Sequence, residues 1–136
     1  MSRGAVLALA AAAALGACDW LTGDFRLAGV VDIAPELAAR APKTNSVLFV
    51  VARNGGGVPL AVHRIVNPEF PASFEMSAQD LLVPGIRRNE PLTVVVRLNA
   101  HGILGEPRAG DLEGSGPPGG CRPGDRGVRV RLDKSL

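Results

Sequence analysis

Chemistry in this 136-residue chain begins with its first cysteine. The tetrad Leu15-Gly16-Ala17-Cys18 closes a run of Ala, Leu, Val and Gly that follows a single charge, Arg3, and is too short to span a bilayer comfortably. This arrangement predicts a signal peptide over residues 1–17, a diacylglyceryl group on the Cys18 thiol and cleavage just ahead of it. The small side chains at 16 and 17 let the backbone enter the peptidase. An ordinary secretory signal or a short buried helix would account for the apolar run, but not for a cysteine at the cleavage point itself. One acyl chain such as palmitate binds a membrane only marginally, whereas the two or three on a lipidated N-terminal cysteine hold stably. The expected product is a lipoprotein anchored on the periplasmic face of a bacterial membrane. Asp19, directly after the cysteine, is in some bacteria a signal to remain in the inner membrane.

The other reactive groups are sparse. His63 and His101 are the two candidate bases, and no G-x-S-x-G turn accompanies either, so no nucleophile-base-orienter set is defined. Glu69, Glu75 and Asp80 have no spacing that makes them face one another and read as solvated or turn-forming carboxylates. His63, Met76, His101 and Cys121 include the ligand types of an electron-transfer copper site. Such sites usually cluster Cys, His and Met on one terminal loop, yet no His or Met follows Cys121. Met76 falls on an apolar parity and reads as core. There is no C-x-x-C-H for covalent haem. No catalytic residue, metal or cofactor is therefore expected. Once Cys18 is acylated, Cys121 is an odd thiol: an exposed or capped cysteine, or else a reactive or intermolecularly bridged one whose pKa Arg122 and Arg126 could lower.

These residues need a scaffold. Removing 17 residues leaves 119, enough for one core and too few for two. Without Arg3 the chain has 14 basic and 13 acidic side chains, a balance that disfavours nucleic acid. Residues 18–25 read as a tether and 26–136 as the domain. Leu27, Gly29, Val31 and Ile33 share one parity and predict a strand. Pro35 opens one or two helical turns that Pro42 bounds. Val47-Leu48-Phe49-Val50-Val51 predicts a central strand ending in the turn Asn54-Gly55-Gly56-Gly57, with a returning strand over residues 58–66.

Phe70, Ala72, Phe74 and Met76 alternate with Pro71, Ser73 and Glu75, and Pro71 marks an edge strand or strand start. After the Pro84-Gly85 turn, Leu92, Val94, Val96 and Leu98 repeat the alternation, and Val128, Val130 and Leu132 do so at the end. Residues 99–127 form a Gly/Pro-rich excursion, expected to be mobile around Gly114 to Gly124. Six or seven short strands, Gly/Pro turns and one short helix predict an all-β, immunoglobulin-like sandwich.

In this order the pieces resemble a known family. They are Gly29-Val30-Val31-Asp32-Ile33-Ala34-Pro35-Glu36-Leu37-Ala38, the Val47 to Arg53 strand, Val58-Pro59-Leu60-Ala61-Val62, Phe70-Pro71, Pro84-Gly85, Val94-Val95-Val96-Arg97 and Gly110-Asp111-Leu112-Glu113-Gly114. From about residue 27 to 133 the chain is similar to the C-terminal periplasmic domain of the cytochrome c-type biogenesis subunit that presents apocytochrome c to the haem lyase complex. Full-length members place transmembrane helices and tetratricopeptide helices before this domain, where this chain has a lipid anchor. They also often have methionines where it has Leu81-Leu82-Val83, and the Cys121 loop has no counterpart.

The resemblance implies a non-enzymatic binding or assembly module of c-type cytochrome maturation, with apocytochrome c or haem lyase subunits as partners. Pro71, Pro84 and Gly85 are candidate contacts, because an extended peptide adds readily to an exposed strand edge. The alternatives are an envelope lipoprotein of unrelated role and a copper-binding or thiol-active redox protein.

Overall fold

The computed structural model describes residues 19–136; the predicted signal peptide and Cys18 lie outside the described residues. The described residues form ten strands and one short helix: β1 (Trp20–Leu21), β2 (Arg26–Ile33), α1 (Pro35–Ala38), β3 (Val47–Arg53), β4 (Pro59–Val66), β5 (Ala72–Ser77), β6 (Ile86–Arg87), β7 (Leu92–Asn99), β8 (Leu112–Cys121), β9 (Val128–Leu132) and β10 (Lys134–Ser135). Seven of the strands have five residues or more. A 3-10 turn, Ala78–Asp80, follows β5.

One sheet has the order β10-β8-β7-β3-β4 and a second has β5-β2-β9, while β1 and β6 pair by themselves. The period-two pattern decides what lies between the sheets. Leu27 and Val31 from β2, Phe74 and Met76 from β5, and Val128, Val130 and Leu132 from β9 meet Leu48, Val50, Val94, Val96, Leu98 and Leu112 in one buried cluster. This is the immunoglobulin-like sandwich expected from the alternation. Helix α1 carries Pro35 in its first turn, where no amide donor is required, and buries Leu37.

The ends of the chain close the domain. β9 runs parallel to β2, with Gly29 opposite Val128 and Ile33 opposite Leu132. At Asp133 the chain leaves that sheet; the Asp133 amide donates to the Glu113 carbonyl (3.1 Å), and β10 joins β8 in the other sheet. A parallel pair of strands this far apart in sequence has a high loop-closure cost and is invisible to local pattern.

Two expectations are corrected. The stretch 18–25, expected as a tether, is ordered from Asp19 on: Leu21 (5% exposed) and Phe25 (0%) enter the core, and Leu21 pairs with the buried Ile86. Two large apolar side chains, each worth about 1.5–3 kcal/mol when buried, hold it down. The excursion 99–127 contains a ten-residue strand, β8, with the sequence LEGSGPPGGC. It pairs with β7 from Leu98 opposite Leu112 to Val94 opposite Gly116 and again at Leu92 opposite Cys121. Residues 117–120 bulge out between these pairings.

Its glycines are contact residues here. A Cβ on Gly114 would fall on the carbonyl oxygen of Arg131 in β9, and one on Gly29 would fall on that of Val128. The absence of side chains at these two positions lets β9 press against β8 on one side and β2 on the other.

Candidate functional site

The groups that could do chemistry are held apart. His63 Nδ1 shares a hydrogen bond with Asp80 Oδ1 (3.3 Å), and Asp80 Oδ2 accepts from the Ser77 amide (2.9 Å) at the head of the 3-10 turn. His101 Nε2 meets Asp111 Oδ2 (3.2 Å), which also accepts from the Arg108 amide (2.9 Å). Each imidazole is thus spent on a carboxylate that shapes a turn. Met76 is fully buried opposite Leu27. The structure does not bring His63, Met76, His101 and Cys121 together, and among the described residues no group of three or more His, Cys, Asp or Glu is placed to hold a metal ion. Glu69 and Glu75 are exposed.

Cys121 differs from its expectation as an exposed or capped thiol. It closes β8 opposite Leu92 and is buried. Burial, with Asp125 adding to it, pushes the thiol up to about 11, the opposite direction from the lowering that Arg122 and Arg126 could supply. At neutral pH such a group is a small apolar side chain and not a nucleophile. It has no disulfide partner among the described residues.

What distinguishes the surface is a contrast between the two sheets. The outward side of β2 and β9 is charged: Arg131 grips Asp32 with two bonds (3.2 and 3.1 Å), and this bond holds the Asp32 carboxyl below its ordinary range. Beside it, Val30, Asp32, Pro71, Arg129, Val130 and Arg131 line a groove of about 680 Å³. Pro71 stands exposed at the head of the edge strand β5, as its sequence position predicted.

The outward side of the five-stranded sheet carries an apolar stripe along β3, flanked by polar residues. Phe49 and Val51 alternate with the core-facing Leu48, Val50 and Ala52, yet are only 4% and 3% exposed. Phe49 lies between Arg64 of β4 and Arg97 of β7, while Val51 lies between Val62 and Val95, both half-buried. Arg97 donates to Glu113 Oε2 (3.0 Å) and to the Gly105 carbonyl. Arg53, on the same parity as Phe49 and Val51, has a buried Nε without a hydrogen-bond partner among the described residues. At one end Val66, opposite Val47, and Ile103 are 60% and 58% exposed. Aromatic and aliphatic centres rimmed by arginines are the composition of a protein interface.

Sequence reasoning named none of these residues as contacts. A signal was present: the unbroken run Val47-Leu48-Phe49-Val50-Val51 is apolar on both parities, as a strand covered on both faces must be.

The loop Pro84-Gly85 lies far along the fold from Pro71. Pro71 precedes the Ala72 that pairs with Val31, near one end of β2, whereas Gly85 packs beneath the segment leading into the other end, 3.1 Å from the Leu21 carbonyl if given a Cβ. Pro84 is exposed. The two do not form one contact. Cys18 lies outside the described residues; among those described, no helix is long and apolar enough to cross a membrane.

With this geometry in hand, residues 27–133 match the model of the Ig-like domain of cytochrome c-type biogenesis protein H. The match runs from β2 to the residue at which the chain changes sheets. An uncharacterized protein of Aquifex aeolicus (strain VF5) is 29% identical over 107 residues, which cover 78% of this chain and 69% of that protein. No solved structure matches.

Proposed function

We propose, from the premise that this chain belongs to the family of cytochrome c-type biogenesis protein H Ig-like domains, that it is a non-enzymatic docking module of c-type cytochrome maturation. Its partner is an apocytochrome segment or a haem lyase subunit. It works on the periplasmic face of a membrane to which acyl chains on Cys18 hold it. The observation that carries this reading is the extent of the family match: it takes in both sheets and the seam between them.

The outward face of the five-stranded sheet supports a protein partner. Val62, Val95, Val66 and Ile103 supply accessible apolar surface over the buried Phe49 and Val51, and Arg53 and Arg64 suit carboxylates at its margin. The edge of β4 beyond Ala61, where the Leu81-Leu82 segment stops covering it, and the Pro71 end of β5 are places where an extended segment adds its own backbone bonds. The burial of Cys121 and the separation of the two histidines fit binding better than redox chemistry.

Affinity capture of the membrane-anchored protein, from cells making c-type cytochromes, tests the reading when paired with c-type haem measured in a strain lacking it. Recovery of apocytochrome or haem lyase subunits and a fall in c-type haem are expected. Capture of neither, with haem content unchanged, leaves an envelope protein that shares the domain and serves another role.

A further inference from the structure

The corrected tether has a consequence for how the domain sits on the membrane. Trp20 is 54% exposed, although the next residue, Leu21, is buried. Its backbone is fixed: Trp20 pairs with Arg87, Leu21 pairs with the buried Ile86, and the Arg88 amide donates to the Asp19 carbonyl (2.8 Å). The Arg87 guanidinium lies over the indole, 5.6 Å from the ring centroid. Asp19, Trp20, Arg87 and Asn89 line one open cleft.

Two residues of chain span at most about 7 Å. An acyl-bearing Cys18 is therefore followed within two residues by a paired strand that presents an indole, with a guanidinium from its partner strand. We propose that Trp20 and Arg87 form a lipid-contacting foot that rests on the phospholipid headgroups and fixes the orientation of the sandwich on the bilayer. This rests on the anchoring of Cys18 proposed above.

The chemistry of the two side chains matches that interface. Indole is amphipathic and is enriched at headgroup depth, where its ring meets the upper acyl chains and its N–H stays among polar groups. Guanidinium binds phosphate oxygens in a fork and pairs with an aromatic face at the same time. Stacking on Trp20 holds Arg87 ready for this. Asp19 is the acidic neighbour in the cleft and stands on the side toward the anchor. With the foot seated, the domain cannot tumble about its anchor, and the same faces are always offered to partners alongside the membrane.

The chain contains one tryptophan and no tyrosine, so its ultraviolet emission reports Trp20 alone. The full-length acylated protein is reconstituted into phosphatidylcholine vesicles containing phosphatidylglycerol, after mass spectrometry has established the acyl groups. Emission is expected to move to shorter wavelength than in detergent-free Cys18→Ser protein. Brominated lipid tails should quench it and aqueous acrylamide should lose access. Arg87→Glu should restore acrylamide access while leaving the protein on the vesicles.

Acylated, vesicle-bound protein whose Trp20 remains open to acrylamide and untouched by bromolipid overturns the foot. Absence of acyl groups would instead defeat the anchoring premise, and mass spectrometry separates the two failures. Trp20→Ser, followed by vesicle binding and circular dichroism, shows that the indole is not needed for folding: an unfolded variant would overturn its assignment as a surface group.

Discussion

The outward faces of the two sheets differ in how they treat their central strand within one small domain. On the three-stranded sheet the outward side is mostly polar: Ser73, Glu75, Arg129 and Arg131 face water beside Ala28 and Val30, while Phe74, Val128 and Val130 face the core. On the five-stranded sheet, β3 is apolar on both sides, and Phe49 and Val51 are nearly as inaccessible as Leu48 and Val50 behind them. Neighbours on β4 and β7 already cover these two side chains within the domain. The comparison teaches that one outward face keeps its polar residues in water while the other buries apolar side chains along its central strand.

A charge set into each face gives the largest contrast. Val95→Glu places a carboxylate amid the apolar centre and is expected to weaken partner capture by roughly a hundredfold or more, in line with about 3–5 kcal/mol for an unpaired buried charge. The matched change Ala28→Glu on the other sheet, opposite Glu75 and away from Pro71, should leave capture unchanged. Quantitative pull-down of both variants, with thermal melts to show that both are folded, decides the matter; equal losses would abolish the distinction between the faces.

Both faces depend on the seam where β9 meets β8. Gly114→Val would drive a side chain into the Arg131 carbonyl and should cost about 3 kcal/mol, read by urea denaturation. A comparable loss is expected from Leu132→Ala, which empties a fully buried site in β9, at about 2–5 kcal/mol.

Cys121 sharpens the account of β8 as core. Its thiol is raised from 9.0 to about 11 in the fold, so the protonated form is favoured there. The sign follows: the associated stability is fully present below pH 9 and is lost as the pH rises through about 11, a change of up to about 2–3 kcal/mol. Cys121→Ala should flatten this part of the stability curve, measured by denaturation at several alkaline pH values. An unaltered curve would mean that the thiol is not buried.

The smallest effect is reserved for the charged face. Asp32 has its carboxyl depressed by the Arg131 bond, so its contribution is present above its ordinary value of 3.8 and fades as pH falls below it. The pair is exposed, and Asp32→Asn should change neutral-pH stability only slightly. A large loss would show the groove to be structural.

Much of this could be read before the fold was known. The parities of β2, β5, β7 and β9 identified Leu27, Val31, Phe74, Met76, Leu92, Val94, Val96, Leu98, Val130 and Leu132 as core, and the Asn54 turn is closed by Asn54 Oδ1 accepting from the Gly56 and Val58 amides. Pro71 at a strand head was equally legible. The shared order of landmarks pointed to the family. What escaped was β8, whose Gly and Pro residues signal a loop to any local rule, and the ordering of residues 19–25. The cover over Phe49 and Val51 escaped because a run of apolar residues announces burial without naming what covers it.

The amino-acid sequence by itself determined which side of most strands turns inward, where the chain bends, and which family it belongs to. These are consequences of period-two patterning and turn chemistry, which act between near neighbours. The tertiary structure alone decided that Gly29 and Gly114 are points of closest approach, that Cys121 is core, and that β2 runs parallel to β9. Those depend on backbone brought from about a hundred residues away, in the case of Gly29 and Val128. A missing Cβ means flexibility or intimacy according to what stands opposite, and only the fold supplies the opposite strand.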